Sequence, residues 1–194
     1  MINEKYKFIY IHIPRTGGTS IEKQFGYAGD TQDQDPHGDG RKHWSLSMWE
    51  KEDIDLSDYF VFTFIRNPWE VILSKYFDHY YTEEYGCPIG FRSGKSLEYF
   101  LENYKIPEHE YGDCFLDYFD PRKVDFIGRY ENRESDLNYV SKKIGKYIDP
   151  KRKIRESILK KRKKIDYREY YNDTTREMVQ KRYFQDIIYF NFKF

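Results

Sequence analysis

Two cysteines in 194 residues, Cys87 and Cys114, leave no disulfide framework and no CxxC pattern for zinc. Two free thiols in a reducing compartment are the simpler expectation, with a pairing of the two left open. Net charge is absent as well: 33 Lys and Arg balance 33 Asp and Glu. No global field then draws the chain to nucleic acid or to an anionic membrane surface. There is no apolar run of about eighteen residues or more, and with the first β-prone segment at about residue 7 no secretory leader is expected. A soluble, cytoplasmic protein is expected. Two phosphate-binding signatures are missing too. GxxxxGK[ST] needs a Lys after its second glycine, and GxGxxG needs a third glycine; neither pattern occurs.

Aromatic residues are abundant, at 20% with twenty Tyr and fifteen Phe. Most are expected to fill a core. Some tyrosines can line a sugar- or ring-binding cleft, since their faces are apolar and their hydroxyls polar. The length suits one domain over residues 1–194 with a sizeable core.

The segment Phe8 to Ser20, FIYIHIPRTGGTS, carries the most information. Phe8, Ile9, Tyr10, Ile11 and Ile13 form a short run too apolar for a solvated strand. Pro14 stops it. Gly17 and Gly18 then let the backbone turn sharply and bring N–H groups close to a ligand. Thr19 and Ser20 offer hydroxyls and can cap a helix starting near Ile21. A helix start with unused amides is an anion site, and Arg15 adds a permanent cation beside it.

A second element repeats the theme. Tyr59 to Ile65, YFVFTFI, reads as a buried strand, followed by Arg66-Asn67-Pro68-Trp69 and a helical pattern through Tyr80. Pro68 suits the first turn of a helix, and Ser74 lies about two turns in. In an open parallel sheet, ligands bind beyond the carboxyl ends of the strands. Two strands, each ending in a cation and a helix start, imply a ligand with two separated anionic groups.

HIPRTGGTS followed by FTFIRNPWEVILSKYF resembles the sulfotransferases that use 3′-phosphoadenosine 5′-phosphosulfate (PAPS), in their carbohydrate branch, similar to heparan 2-O-sulfotransferases and bacterial and viral relatives. Softer matches follow at FIGRYEN, Phe126 to Asn132, and at YREYYND and DIIYFNFKF. The resemblance implies an α/β fold, a P-loop-NTPase-like three-layer sandwich with a central parallel sheet flanked by helices. It implies that Arg15, Thr16, Gly17, Gly18, Thr19 and Ser20 grip the 5′-phosphosulfate, and that Arg66 and Ser74 grip the 3′-phosphate. PAP is then the product, and no metal is required. One departure stands out: the loop position often held by Lys is Arg15 here. Arg15 keeps the charge and can stabilise a leaving group, but a guanidinium does not release a proton near neutral pH. Arg129, after the third strand, is a candidate to point into the nucleotide cleft, with an ordinary surface role as the alternative.

Sulfuryl transfer, like phosphoryl transfer, needs positioning, charge stabilisation and a base for the acceptor hydroxyl. His43, within Arg41-Lys42-His43-Trp44-Ser45, is the candidate base, because a neutral imidazole suits proton removal near pH 7. The resemblance supports it, since related enzymes carry a His in this inter-strand segment. His12 lies in the first strand, where a structural role bonded to backbone is expected. Glu22 is a fallback base and by default a solvated helix residue. His37 is placed to touch an acceptor, while His79 and His109 are peripheral.

The remaining pattern places strand one at 7–13, helices at 19–26, 46–52, 68–80, 96–104, 134–147 and 173–188, and a third strand at 124–127. Loops at 27–42 and 82–95 are the candidate acceptor-binding segments. Lys151 to Lys164 holds nine Lys or Arg and one Glu. It is either a solvated face or a contact for the 3′-phosphate or an acidic polysaccharide. Three functions stay open on these grounds. They are a PAPS-dependent sulfotransferase acting on a hydroxyl of a carbohydrate or small molecule, a divergent nucleotide kinase or NTPase, and a non-catalytic nucleotide- or glycan-binding protein.

Overall fold

The computed structural model describes residues 1–26, 41–52, 54–77, 94–106, 112–152 and 166–194. Most of the two candidate acceptor loops, the basic run from 153 onward, His37, His79, His109 and Cys87 lie outside the described residues. The chain divides into two compact units. One comprises Met1–Arg66 with Phe115–Ile154, and the other comprises Asn67–Cys114 with Arg155–Phe194.

The first unit is an α/β unit around a four-stranded, mostly parallel sheet. Its strands are β1 (Ile2–Asn3), β2 (Phe8–Ile11), β3 (Phe60–Ile65) and β4 (Phe126–Arg129), in that spatial order. β2, β3 and β4 are parallel, and β1 adds an antiparallel edge that the sequence pattern did not announce. Alternation decides the core. Phe8 and Tyr10 of β2 and Phe62 and Phe64 of β3 point to one face. There they pack with Ile21 of α1 (Thr19–Glu22) and with Leu137, Val140 and Ile144 of α5 (Arg133–Ile144). Ile9, Ile11, Val61, Thr63 and Ile65, on the opposite face, are buried as well. Gly128 of β4 is needed at its place, because a Cβ there would collide with the Phe64 ring.

Several boundaries differ from the pattern reading. The first helix is one α-turn followed by a 3-10 turn at Lys23–Phe25, and Gly26 at φ 82° ends it. The helix over 46–52 shortens to α2, Leu46–Trp49. β4 starts two residues later than the strand placed at 124. α5 stops at Gly145, which takes the left-handed conformation that closes many helices. Tyr147 therefore lies beyond the helix and is 67% exposed.

The second unit is helical: α3 (Pro68–Tyr76), α4 (Leu97–Asn103), α6 (Asp173–Arg182) and α7 (Phe184–Phe190). Asn67 caps α3 by accepting from the Trp69 amide at 3.1 Å, with Pro68 in the first turn as anticipated. The C-terminal Phe194 packs edge-on against Trp69, Tyr167 and Tyr171. This gathers the two softer sequence matches near the residue 166–194 segment around the start of α3. The single helix expected over 173–188 is broken at Tyr183 (φ −103°, ψ 25°), whose fully buried hydroxyl donates to Asp113 at 2.7 Å.

Candidate active site

Parallel pairing sets Ile11 beside Thr63 and Ile65 beside Arg129. The carboxyl ends of β2, β3 and β4 therefore deliver three segments to one edge of the sheet: residues 12–18, Arg66, and the turn after Arg129.

The first segment is a bent loop. Arg15 sits at φ 68° and Gly17 at φ 88°. The former costs on the order of 1–3 kcal/mol for a residue with a Cβ. Arg66 Nη1 donates to the Arg15 carbonyl at 3.3 Å and helps hold it. Thr16 is fully buried, and its hydroxyl donates to the Ile13 carbonyl at 2.8 Å. Its side chain thus staples the loop and leaves the amide as what it can offer a ligand. The amides of Thr16, Gly17, Gly18 and Thr19 have no acceptor among the described residues, whereas those of Ser20, Ile21 and Glu22 are given to Gly17 and Gly18. Successive amides around a left-handed residue form a concave nest for an anion. What the backbone offers here is therefore the loop itself rather than the dipole of α1, which is too short to supply one. Gly18 is the N-cap of α1 and no side chain caps it, so Thr19 and Ser20 do not play the capping part assigned from sequence.

Beneath Gly18 lies His12. A Cβ on Gly18 would overlap its imidazole, which is the close approach that makes a glycine obligatory here. His12 and Glu22 are each 3% exposed, with Nδ1 and Oε1 2.8 Å apart. Glu22 is therefore not a solvated helix residue, and His12 binds a carboxylate rather than backbone. Burial pulls the His12 pKa down, so a neutral ring donates its Nδ1–H to Glu22. Burial works against the Glu22 charge, but His12, Lys42 and the chain's amino terminus outweigh it and keep the carboxyl low.

His43 is half-buried and stands against His12, ring centroids 4.7 Å apart. Its Nδ1 lies 2.9 Å from the His12 carbonyl oxygen. A carbonyl only accepts, so Nδ1 carries the proton and Nε2 holds the lone pair of the neutral ring. The strand that leads into the glycine loop thus also orients His43.

Arg66 reaches the same edge. Its guanidinium lies 4.3 Å from the centre of the Tyr130 ring, and a Cβ on Gly17 would press on that ring at 2.9 Å. Tyr130 consequently separates Arg66 from the glycine turn by one aromatic ring. Tyr130 and the buried Arg133 were not singled out from sequence. Tyr130 could have been, because it follows a strand end as Arg66 does. Arg129 is half-buried, and its amide donates to Asp136 Oδ2 at 2.7 Å. Ser74 is buried on α3, in the second unit.

Over residues 1–193 the chain matches the sulfotransferase family. It belongs to that family. The sulfotransferase is also similar to an uncharacterized protein of Archaeoglobus fulgidus, 35% identical over 92 residues, which cover 45% of this chain and 68% of that protein. Family membership makes it an enzyme that transfers a sulfuryl group to an acceptor substrate. Among its described residues no group of three His, Cys, Asp or Glu side chains is placed to hold a metal ion. No helix among them is long and apolar enough to cross a membrane. The Cys114 thiol donates to the Arg182 carbonyl, with Sγ and O 3.5 Å apart.

Proposed function

We propose that this sulfotransferase takes its sulfuryl group from PAPS and delivers it to a hydroxyl, on a carbohydrate, with His43 as the general base. The observation that carries the proposal is the meeting at one sheet edge of unbonded loop amides at 16–19, the Arg66 guanidinium laid over Tyr130, and a His43 whose lone pair is held on Nε2. These donors fit a ligand with two anionic ends, which is what a 3′,5′-bisphosphorylated nucleotide offers. The amides of Thr16, Gly17, Gly18 and Thr19 hold the 5′ end, with Arg15 and Ser20 beside them. Arg66, Ser74 and Arg129 serve the 3′-phosphate. In this reading the two units make one P-loop-like sulfotransferase domain.

The donor supplies a sulfuryl group on a phosphate leaving group. His43 Nε2 takes the proton of the acceptor hydroxyl as its oxygen attacks sulfur. The sulfur–oxygen bond to the 5′-phosphate breaks, and PAP retains the electron pair. The loop amides and Arg15 stabilise the charge that collects on the departing phosphate oxygen. His12 and Glu22 keep the strand and His43 in place.

Calorimetric titration with PAP and with ATP, both without magnesium, tests the nucleotide; PAP binds and ATP does not. Transfer from radiolabelled PAPS to a panel of glycans, phenols and small alcohols tests the reaction. His43→Ala lowers turnover by roughly 10²–10⁴ and leaves PAP affinity unchanged. Full activity in His43→Ala removes the base assignment, and binding of ATP in preference to PAP removes the donor assignment.

A further inference from the structure

We propose that Arg133 is a further anion-binding residue of the glycine loop: a buried guanidinium, set behind Gly17, whose two terminal nitrogens gain acceptors when an oxyanion occupies the loop. This rests on the reading of residues 14–20 as an anion site, and not on the acceptor or on His43.

Arg133 opens α5 and is 7% exposed. Its Nε donates to the Pro150 carbonyl at 3.2 Å. Nη1 and Nη2 are buried and have no acceptor among the described residues. Nη1 lies 3.3 Å from the point where a Cβ on Gly17 would stand, alongside the Tyr130 ring. The guanidinium thus backs directly onto the turn whose amides are unbonded. The Tyr10 hydroxyl is buried on the same side of the loop, against Gly18.

No described carboxylate lies within ion-pair distance of Arg133, and Asp149 attracts it only from farther away. Asp149 accepts from the Lys151 amide at 2.9 Å, Asp136 accepts from the Arg129 amide, and Glu134 is exposed. An arginine cannot escape this by losing its proton, even though burial pulls its pKa down. The position makes the charge odder still. Residue 133 shares the face of α5 that carries Leu137, Val140 and Ile144 into the core. An apolar side chain would satisfy packing there and avoid desolvating a cation. Two donors and a fixed charge behind the loop complement a phosphate or phosphosulfate, and burial protects that attraction from salt.

The test compares wild type with Arg133→Leu and Arg133→Lys. PAP affinity is measured by calorimetry at low and moderate salt, and inorganic pyrophosphate serves as a nucleotide-free probe in thermal unfolding. Charge-assisted hydrogen bonds of this kind correspond to about tenfold or more in affinity. Arg133→Leu is expected to bind PAP at least about tenfold more weakly, to lose protection by pyrophosphate, and to melt without ligand no lower than wild type. Arg133→Lys recovers part of the affinity. Equal PAP binding by wild type and Arg133→Leu overturns the inference. So does weaker binding accompanied by a lower ligand-free melting temperature and no recovery with Lys, which marks a purely structural residue. If Arg133→Leu does not fold, Arg133→Gln replaces it under the same criteria. Failure of wild type to bind PAP sinks the proposed donor, yet pyrophosphate protection of wild type and not of Arg133→Leu still upholds the anion role. Failure to bind either ligand sinks both.

Discussion

Glu22 in the first unit and Asp113 in the second are both buried carboxylates, and they are held by different kinds of base. Asp113 has two basic partners, Lys75 Nζ at 2.9 Å and Arg182 Nε at 3.0 Å, with the Tyr183 hydroxyl donating at 2.7 Å. Lys75, itself 2% exposed, also donates to the Tyr104 hydroxyl at 2.6 Å. Glu22 has one imidazole at 2.8 Å. The first arrangement ties residue 113 to α3 and α6 through a lysine and an arginine. The second sets a titratable pair directly under the glycine loop. A fixed lock and a protonation-sensitive support thus come from the same ingredient, a buried acid, through the choice of partner.

The largest expected effect comes from opening the lock. Lys75→Ala leaves Asp113 short of a buried partner and should cost about 3–5 kcal/mol, read as a drop in the urea midpoint with unchanged slope. A loss under about 1 kcal/mol would mean the network behaves like a surface ion pair.

Next is the support under the loop. Gly18→Ala drives a methyl into the His12 ring, and overpacking of this kind costs about 1–3 kcal/mol. Hydrogen exchange should speed up across β2 and α1 while α6 stays protected. Unchanged protection at Phe8–Ile11 would show that His12 yields without cost.

The pH response separates the two regions directly. The His12 pKa is below its ordinary 6.5 in the folded protein, so the unfolded chain takes up that proton first. Stability from this group is complete above about 6.5 and declines as pH falls toward the folded value. Glu22, held below its ordinary 4.5, continues the loss at still lower pH. At Asp113 burial opposes the charge, and Lys75 and Arg182 outweigh it. Its contribution lasts until the pH falls below 3.8. Exchange measured from pH 7.5 to 5 should therefore weaken protection in β2 and leave α6 unchanged. Equal weakening in both would erase the distinction. The smallest effect is reserved for an exposed pair in the first unit, Lys123 Nζ to Glu50 at 2.7 Å. Lys123→Ala should change stability by no more than about 1 kcal/mol, a baseline for both buried acids.

Legibility from sequence followed how local each feature is. The run Tyr59 to Trp69 was readable nearly to the residue, since Asn67 and Pro68 act within their own turn. Gly17 was readable as a turn, and it takes φ 88°. Glu22 was misread because one carboxylate in a short polar stretch looks the same whether solvated or buried. The break at Tyr183 has no glycine or proline to mark it; it coincides with a bond to Asp113, seventy residues away. Arg133 could have been noticed from its spacing to Leu137 and Val140, but charge at a core position reads as an interruption until its neighbours are known.

Local chemistry along the chain was therefore enough to establish two strand–loop–helix elements, the absence of a Walker lysine, and a histidine between them, since each depends on residues a few positions apart. Folding alone decided that His43 donates to a carbonyl 31 residues earlier and that Arg66 anchors a carbonyl 51 residues earlier. It also decided that a buried guanidinium sits behind Gly17. Periodicity reports which face a residue occupies. It carries no information about which other face will meet it, and the meeting sets burial, tautomer and charge.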